Sequence, residues 1–149
     1  MRFLYYKKAH LNYEVEETLE AGIELKGFEI RTLREKHGSL DGAYITIENN
    51  EAFLVNAYIP PYQPANTPDE YDPYRARRLL ITKNEIAKLA TKEKERSLTV
   101  IPLSLYSKGT LIKAEIAIVR GKKKHDKREM IKKRDVERDI EHEFKKRLR

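Results

Sequence analysis

Cysteine is absent from this 149-residue chain, which excludes a disulfide framework, a thiolate metal site and a cysteine nucleophile. No apolar run approaches the roughly 20 residues that a bilayer-spanning helix requires. The opening Met1-Arg2-Phe3-Leu4-Tyr5-Tyr6-Lys7-Lys8 turns charged too early for a secretory signal. The expectation is a soluble cytoplasmic protein with no membrane partner. A Gly-rich phosphate loop and a nucleophile elbow are both missing. None of the four histidines, His10, His37, His125 and His142, is paired with another at metal-ligand spacing, and His142-Glu143 lacks the second His of a zincin helix. Glu14, Glu16 and Glu17 crowd into one charged run with no evident partner acid or base. The reading is therefore not an enzyme, with no catalytic residues, metal site or cofactor.

What the chain does have is charge in one place. It carries 31 Lys and Arg against 24 Asp and Glu, a net charge of +7. Residues 120–149 hold 14 of the basic and 7 of the acidic residues, so the remaining 119 residues are neutral overall. A balanced body with a basic tail suggests a folded domain that positions a polyanion-binding arm. Length permits one domain with an appendage, divided as 1–120 and 121–149.

Along the body, Tyr13 to Leu19 alternates like a strand whose apolar face is interrupted. From Ala21 the period changes, and Ile23, Ile30, Leu33 and Arg34 fit a short helix. Ala43–Ile47 and Glu51–Val55 flank Asn49-Asn50, a hairpin signal. Five of the six prolines fall in 59–74, which predicts an extended loop. Thr82 with Glu85 three residues on is a capping-box pattern, and Ile86, Leu89 and Ala90 supply an apolar helix face. Leu98–Tyr106 and Leu111–Val119 form a second strand pair joined at Ser107-Lys108-Gly109-Thr110. The predicted class is mainly β: an OB-type antiparallel β-barrel of about six strands with inserted α-helices. In the tail, Val136, Ile140, Phe144 and Leu148 recur every fourth residue, a narrow helical stripe that would need a partner surface to be stable.

Three basic clusters lie outside the far tail: Lys7, Lys8 and His10; Arg75, Arg77 and Arg78; and Lys122, Lys123, Lys124, Lys127 and Arg128. Tyr5, Tyr6, Tyr62, Tyr71 and Tyr74 are close to them. Cations neutralise phosphates while exposed aromatics stack on unpaired bases, which points to RNA or DNA binding. The same tyrosines could instead pack the proline loop onto the barrel.

Five segments then acquire a joint meaning. They are Glu20-Ala21-Gly22-Ile23; Gly27-Phe28-Glu29-Ile30-Arg31-Thr32-Leu33-Arg34; Asp72-Pro73-Tyr74-Arg75-Ala76-Arg77-Arg78-Leu79-Leu80-Ile81; Pro102-Leu103-Ser104-Leu105-Tyr106; and Gly121-Lys122-Lys123-Lys124-His125-Asp126-Lys127-Arg128-Glu129. In this order and spacing they resemble the small protein B family, the SsrA-binding proteins of bacterial trans-translation. Tyr6 and Leu11 depart from it, standing where the family usually has Asn and His.

The resemblance implies an OB-type body that binds the tRNA-like domain of transfer-messenger RNA in place of an anticodon arm. Elongation factor Tu joins the delivery complex, which enters stalled ribosomes. The tail, mobile when free, would become helical in the empty mRNA channel near the 16S rRNA decoding centre. Glu20 and Leu80 carry over to the surface for the tRNA-like domain. Lys7, Lys8, His10, Arg75, Arg77, Arg78, Lys122, Lys123 and Lys124 are the further candidates for that RNA. Gly121, His125, Asp126, Lys127 and Arg128, with Lys132, Lys133 and Arg134, are the candidates for the ribosome. The chain is expected to act as a monomer.

Overall fold

The computed structural model describes residues 1–63 and 68–121. The expected tail helix, and with it Lys122 to Arg134, lies outside the described residues. Among the described residues, seven strands run in chain order with three helices: β1 (Arg2–Tyr5), α1 (Ala9–Asn12), β2 (Tyr13–Ile23), α2 (Gly27–Arg34), β3 (Tyr44–Glu48), β4 (Glu51–Val55), β5 (Arg77–Leu80), α3 (Lys83–Glu93), β6 (Leu98–Lys108) and β7 (Leu111–Gly121). They form one sheet in the order β1-β6-β7-β2-β5-β4-β3, and every pairing is antiparallel. The sheet curls until β3, at one end, packs near β6. The mainly-β antiparallel architecture with inserted helices is as expected, with seven strands instead of about six.

The strands that read clearly are those with local signals. β3 and β4 form the hairpin across Asn49 and Asn50, both left-handed at φ of 51° and 61°. Asn tolerates that region because its short polar side chain bonds locally. The interruption in β2 is a β-bulge: the register against β7 shifts between Val15 and Glu17, so an extra residue breaks the alternation. β2 then continues to Ile23 instead of yielding to a helix at Ala21. The helix starts at Gly27, where the Glu29 carboxylate accepts the Lys26 N–H at 2.8 Å.

Thr82 caps α3 as predicted. Its hydroxyl accepts the Glu85 N–H at 3.2 Å while Glu85 accepts the Thr82 N–H at 3.0 Å. Thr82→Ala is therefore expected to cost about 1 kcal/mol in chemical denaturation, and an unchanged midpoint would show that the cap contributes nothing. Inside the curl, Leu54, Ile59, Leu89, Leu105 and Ile116 are fully buried. Tyr6 and Leu11, the two departures from the family pattern, are 1% and 2% exposed. Both are core residues, so Tyr6 is not a base-stacking side chain.

Candidate nucleic-acid interface

The outer face of β5, β2, β7 and β6 carries Glu20 and Leu80, the two residues that the resemblance assigns to the body. Strand register aligns Tyr106 with Lys113, Lys113 with Gly22, and Gly22 with Leu80. Side chains two residues apart share a face, so Glu20 stands beside Gly22 on that surface. Leu80 is 48% exposed and Leu111 59%. A groove of about 410 Å³ lies between them, lined also by Ile23, Leu25, Ile30 and Lys113. Large apolar side chains left in water at one place are the informative exception on a protein surface.

Glu20 is held ready there. The Tyr106 hydroxyl donates to one carboxylate oxygen, and Lys108 Nζ lies 3.2 Å from the other. Those hydrogen bonds, Tyr106 first and then Lys108, hold the Glu20 carboxyl below its usual range. Burial, followed by the Glu20 carboxylate, pushes the Tyr106 phenol up. At neutral pH the pair is therefore carboxylate and neutral phenol. The next row across the sheet runs Tyr5, Ser104, Glu115 and Glu20. It brings the N-terminal edge onto the same face, with the Arg2 guanidinium 4.4 Å from the Tyr5 ring centroid.

The sequence-predicted cations divide sharply. Lys7 and His10 are exposed and Lys8 is half-buried beside α1. Arg78 is exposed on the outer face, where it pairs with Glu24 at 3.0 Å and Glu51 at 3.7 Å. Arg77 alternates to the inside and is fully buried. Its guanidinium donates to Glu29 at 2.7 and 3.0 Å, to the Ala57 carbonyl at 2.7 Å and to the Pro73 carbonyl at 3.0 Å. No face of it is left for a phosphate, which corrects its placement among the RNA-binding candidates. Arg75, partly exposed, also spends its guanidinium on Glu29, at 2.5 and 3.1 Å. Gly121 is the last residue of β7, paired with Tyr13. Lys122, Lys123, Lys124, His125, Asp126, Lys127, Arg128, Lys132, Lys133 and Arg134 lie outside the described residues.

The tyrosines divide as well. Tyr71 packs edge-on against Phe28 with centroids 4.7 Å apart, and its hydroxyl lies 2.8 Å from both Glu29 Oε2 and the Ile59 carbonyl. It ties the proline loop to α2. Tyr5, Tyr62 and Tyr74 keep 39%, 39% and 52% of their surface exposed, enough to offer a ring to a base. Lys108, Lys113 and Leu111 have no site role in the sequence reading, and Tyr106 enters it only as the end of a family segment. Only the strand register carries them to Glu20, and no local spacing announces it.

Comparison with known proteins places the chain as a whole. A family model described as SmpB protein matches residues 4–146. An SsrA-binding protein from Persephonella marina is 46% identical over 143 residues, covering 96% of this chain and 93% of that protein. One from Mesoplasma florum is 50% identical over 139 residues, covering 93% of each. A solved structure described as "tmRNA-SmpB: a journey to the center of the bacterial ribosome" contains a similar chain, 34% identical with a TM-score of 0.69. The match covers 85% of this chain and 92% of that one.

Proposed function

This chain belongs to the SmpB protein family, and from that membership we propose that it binds transfer-messenger RNA and carries it to stalled ribosomes in the cytoplasm. The likeness to relatives named for SsrA binding, sustained over nearly the whole chain, is the observation that carries the reading. The protein is a monomeric, non-enzymatic adaptor. Its barrel grips the tRNA-like domain through the outer face around Glu20 and Leu80, with Lys7, Lys8, His10 and Arg78 adding charge at its edges. Elongation factor Tu accompanies the complex; Lys122, Lys123 and Lys124 add charge toward the tRNA-like domain, and the tail from His125 onward works inside the ribosome at the mRNA channel and decoding centre.

The body, being neutral overall, attracts RNA only through local patches, and the residues from 120 onward hold the whole charge excess. Phosphate contacts made by such patches release counterions, so affinity falls steeply with salt. The test is titration of the full chain with the tRNA-like domain and with an unrelated hairpin of equal length. The tRNA-like domain is expected to bind more tightly, and its affinity to fall at least about tenfold between 50 and 200 mM salt. Equal affinity for the two RNAs would overturn the reading.

A further inference from the structure

The polar side chain that closes α1 has no use inside the body. Asn12 is the last residue of α1 and 1% exposed. Its backbone N–H donates to the Lys8 carbonyl at 3.0 Å. Its side-chain oxygen is enclosed and meets no hydrogen-bond donor, and among the described residues it is the one buried side-chain atom left in that state. A carbonyl oxygen taken out of water and given nothing in return destabilises the fold, so a buried one without a partner points to a donor supplied from elsewhere.

Its place in the sheet says where that donor comes from. Tyr13, the next residue, opens β2 and pairs with Gly121, the end of β7. One further step in the same antiparallel register brings residue 122 opposite Asn12, and residues so opposed lie about 5 Å apart at Cα. There the ladder runs out, because the chain before Tyr13 is helical. Lys122, Lys123 and Lys124 bring backbone N–H groups past this point and no side-chain acceptor of their own. Asp126, with Glu129 three residues on, gives a tail helix its own capping-box pattern, so the segment that needs direction is the short connector before it. We propose that Asn12 is a positioning residue for the tail: when the tail engages the ribosome, the Asn12 side-chain oxygen accepts a backbone N–H of Lys122, Lys123 or Lys124 in place of the missing ladder carbonyl. That bond fixes the direction in which the tail leaves the barrel, and with it the placement of His125 and Asp126. This inference rests on the ribosomal reading of the tail and deepens it.

The test uses the full chain with Asn12→Leu, which is close to Asn in shape and cannot accept, and Asn12→Asp, which keeps an acceptor. Three quantities are read for each: affinity for the tRNA-like domain, tagging of stalled products, and the midpoint of thermal unfolding. Asn12→Leu is expected to tag about fivefold less than wild type, the scale of one hydrogen bond, with RNA affinity unchanged. Its midpoint should hold or rise, because an unpaired polar atom has been replaced by apolar ones. Asn12→Asp is expected to tag like wild type. Wild-type tagging by Asn12→Leu would overturn the proposal, as would a matching loss of RNA affinity. A lowered midpoint or a failure to fold would overturn it as well, by giving the oxygen a partner within the body, a buried water included. Equal loss of tagging by both variants would assign the effect to the shape of the site and not to its acceptor, with the same consequence. The two readings fail separately. If the wild-type chain tags and Asn12→Leu tags equally, only the clamp is lost. If the wild-type chain neither prefers the tRNA-like domain nor tags, the function falls with it.

Discussion

Glu29→Gln is expected to destabilise the fold by about 3–5 kcal/mol, the range for removing one partner of a buried ion pair. The carboxylate is fully buried. One oxygen accepts from the Lys26 N–H and Arg75; the other accepts from Arg75 and twice from Arg77, with the Tyr71 hydroxyl beside it. Every neighbour is a donor, so the amide NH2 of Gln would face donors and leave the Arg77 charge unneutralised. The contacts join α2, β5 and the proline loop, and their loss would release all three.

Acid gives a second view of the same group. Burial alone would raise its pKa, but hydrogen bonds from Arg75, the Lys26 N–H and Arg77 outweigh it and bring it down to about 2. A carboxyl depressed in the folded state stabilises fully above its unfolded value of 4.5, and that stability is lost as pH falls toward 2. The shift corresponds to about 3 kcal/mol at 1.36 kcal/mol per unit. Urea denaturation at pH 7 and pH 2.5 measures both effects: the gap between wild type and Glu29→Gln should be wide at the first pH and narrow at the second. A gap below about 1 kcal/mol at pH 7 would show that the cluster does not need its carboxylate.

This cluster also explains what the sequence concealed. In β5, alternation reads Arg77, Arg78, Leu79, Leu80, and nothing local tells which arginine turns inward. The structure buries Arg77 with Leu79 and exposes Arg78 with Leu80, the reverse of what polarity suggests for both the first and the last residue. The partner that makes this tolerable, Glu29, lies 48 residues away. The Thr82 cap and the Asn49-Asn50 hairpin were legible because their physics is complete within a few residues. β1 and α1, of four residues each, are too short to establish a period. The outer row of Tyr106, Lys113, Gly22 and Leu80 comes from four strands, so it becomes visible only when register is known. Motif resemblance supplied Glu20 and Leu80; geometry supplied their neighbours.

Truncation after Gly121 is expected to leave binding to the tRNA-like domain within a few fold of the full chain while abolishing the tagging of stalled products. Gly121 is kept because it pairs with Tyr13 at the end of the β2–β7 ladder, and removing it would disturb the body. The excised residues, 122–149, hold 13 basic and 7 acidic side chains. Their loss should flatten the salt dependence of RNA binding by removing long-range attraction. A second chain, with residues 122–149 scrambled at constant composition, separates charge from sequence. If the tail were only a polycation, scrambling would restore tagging. If His125, Asp126, Lys127 and Arg128 must meet the decoding centre in order, scrambling restores the salt slope and leaves tagging absent, the outcome expected here. Equal loss of RNA binding and tagging on truncation would sink the division of labour, because one surface would then be serving both steps.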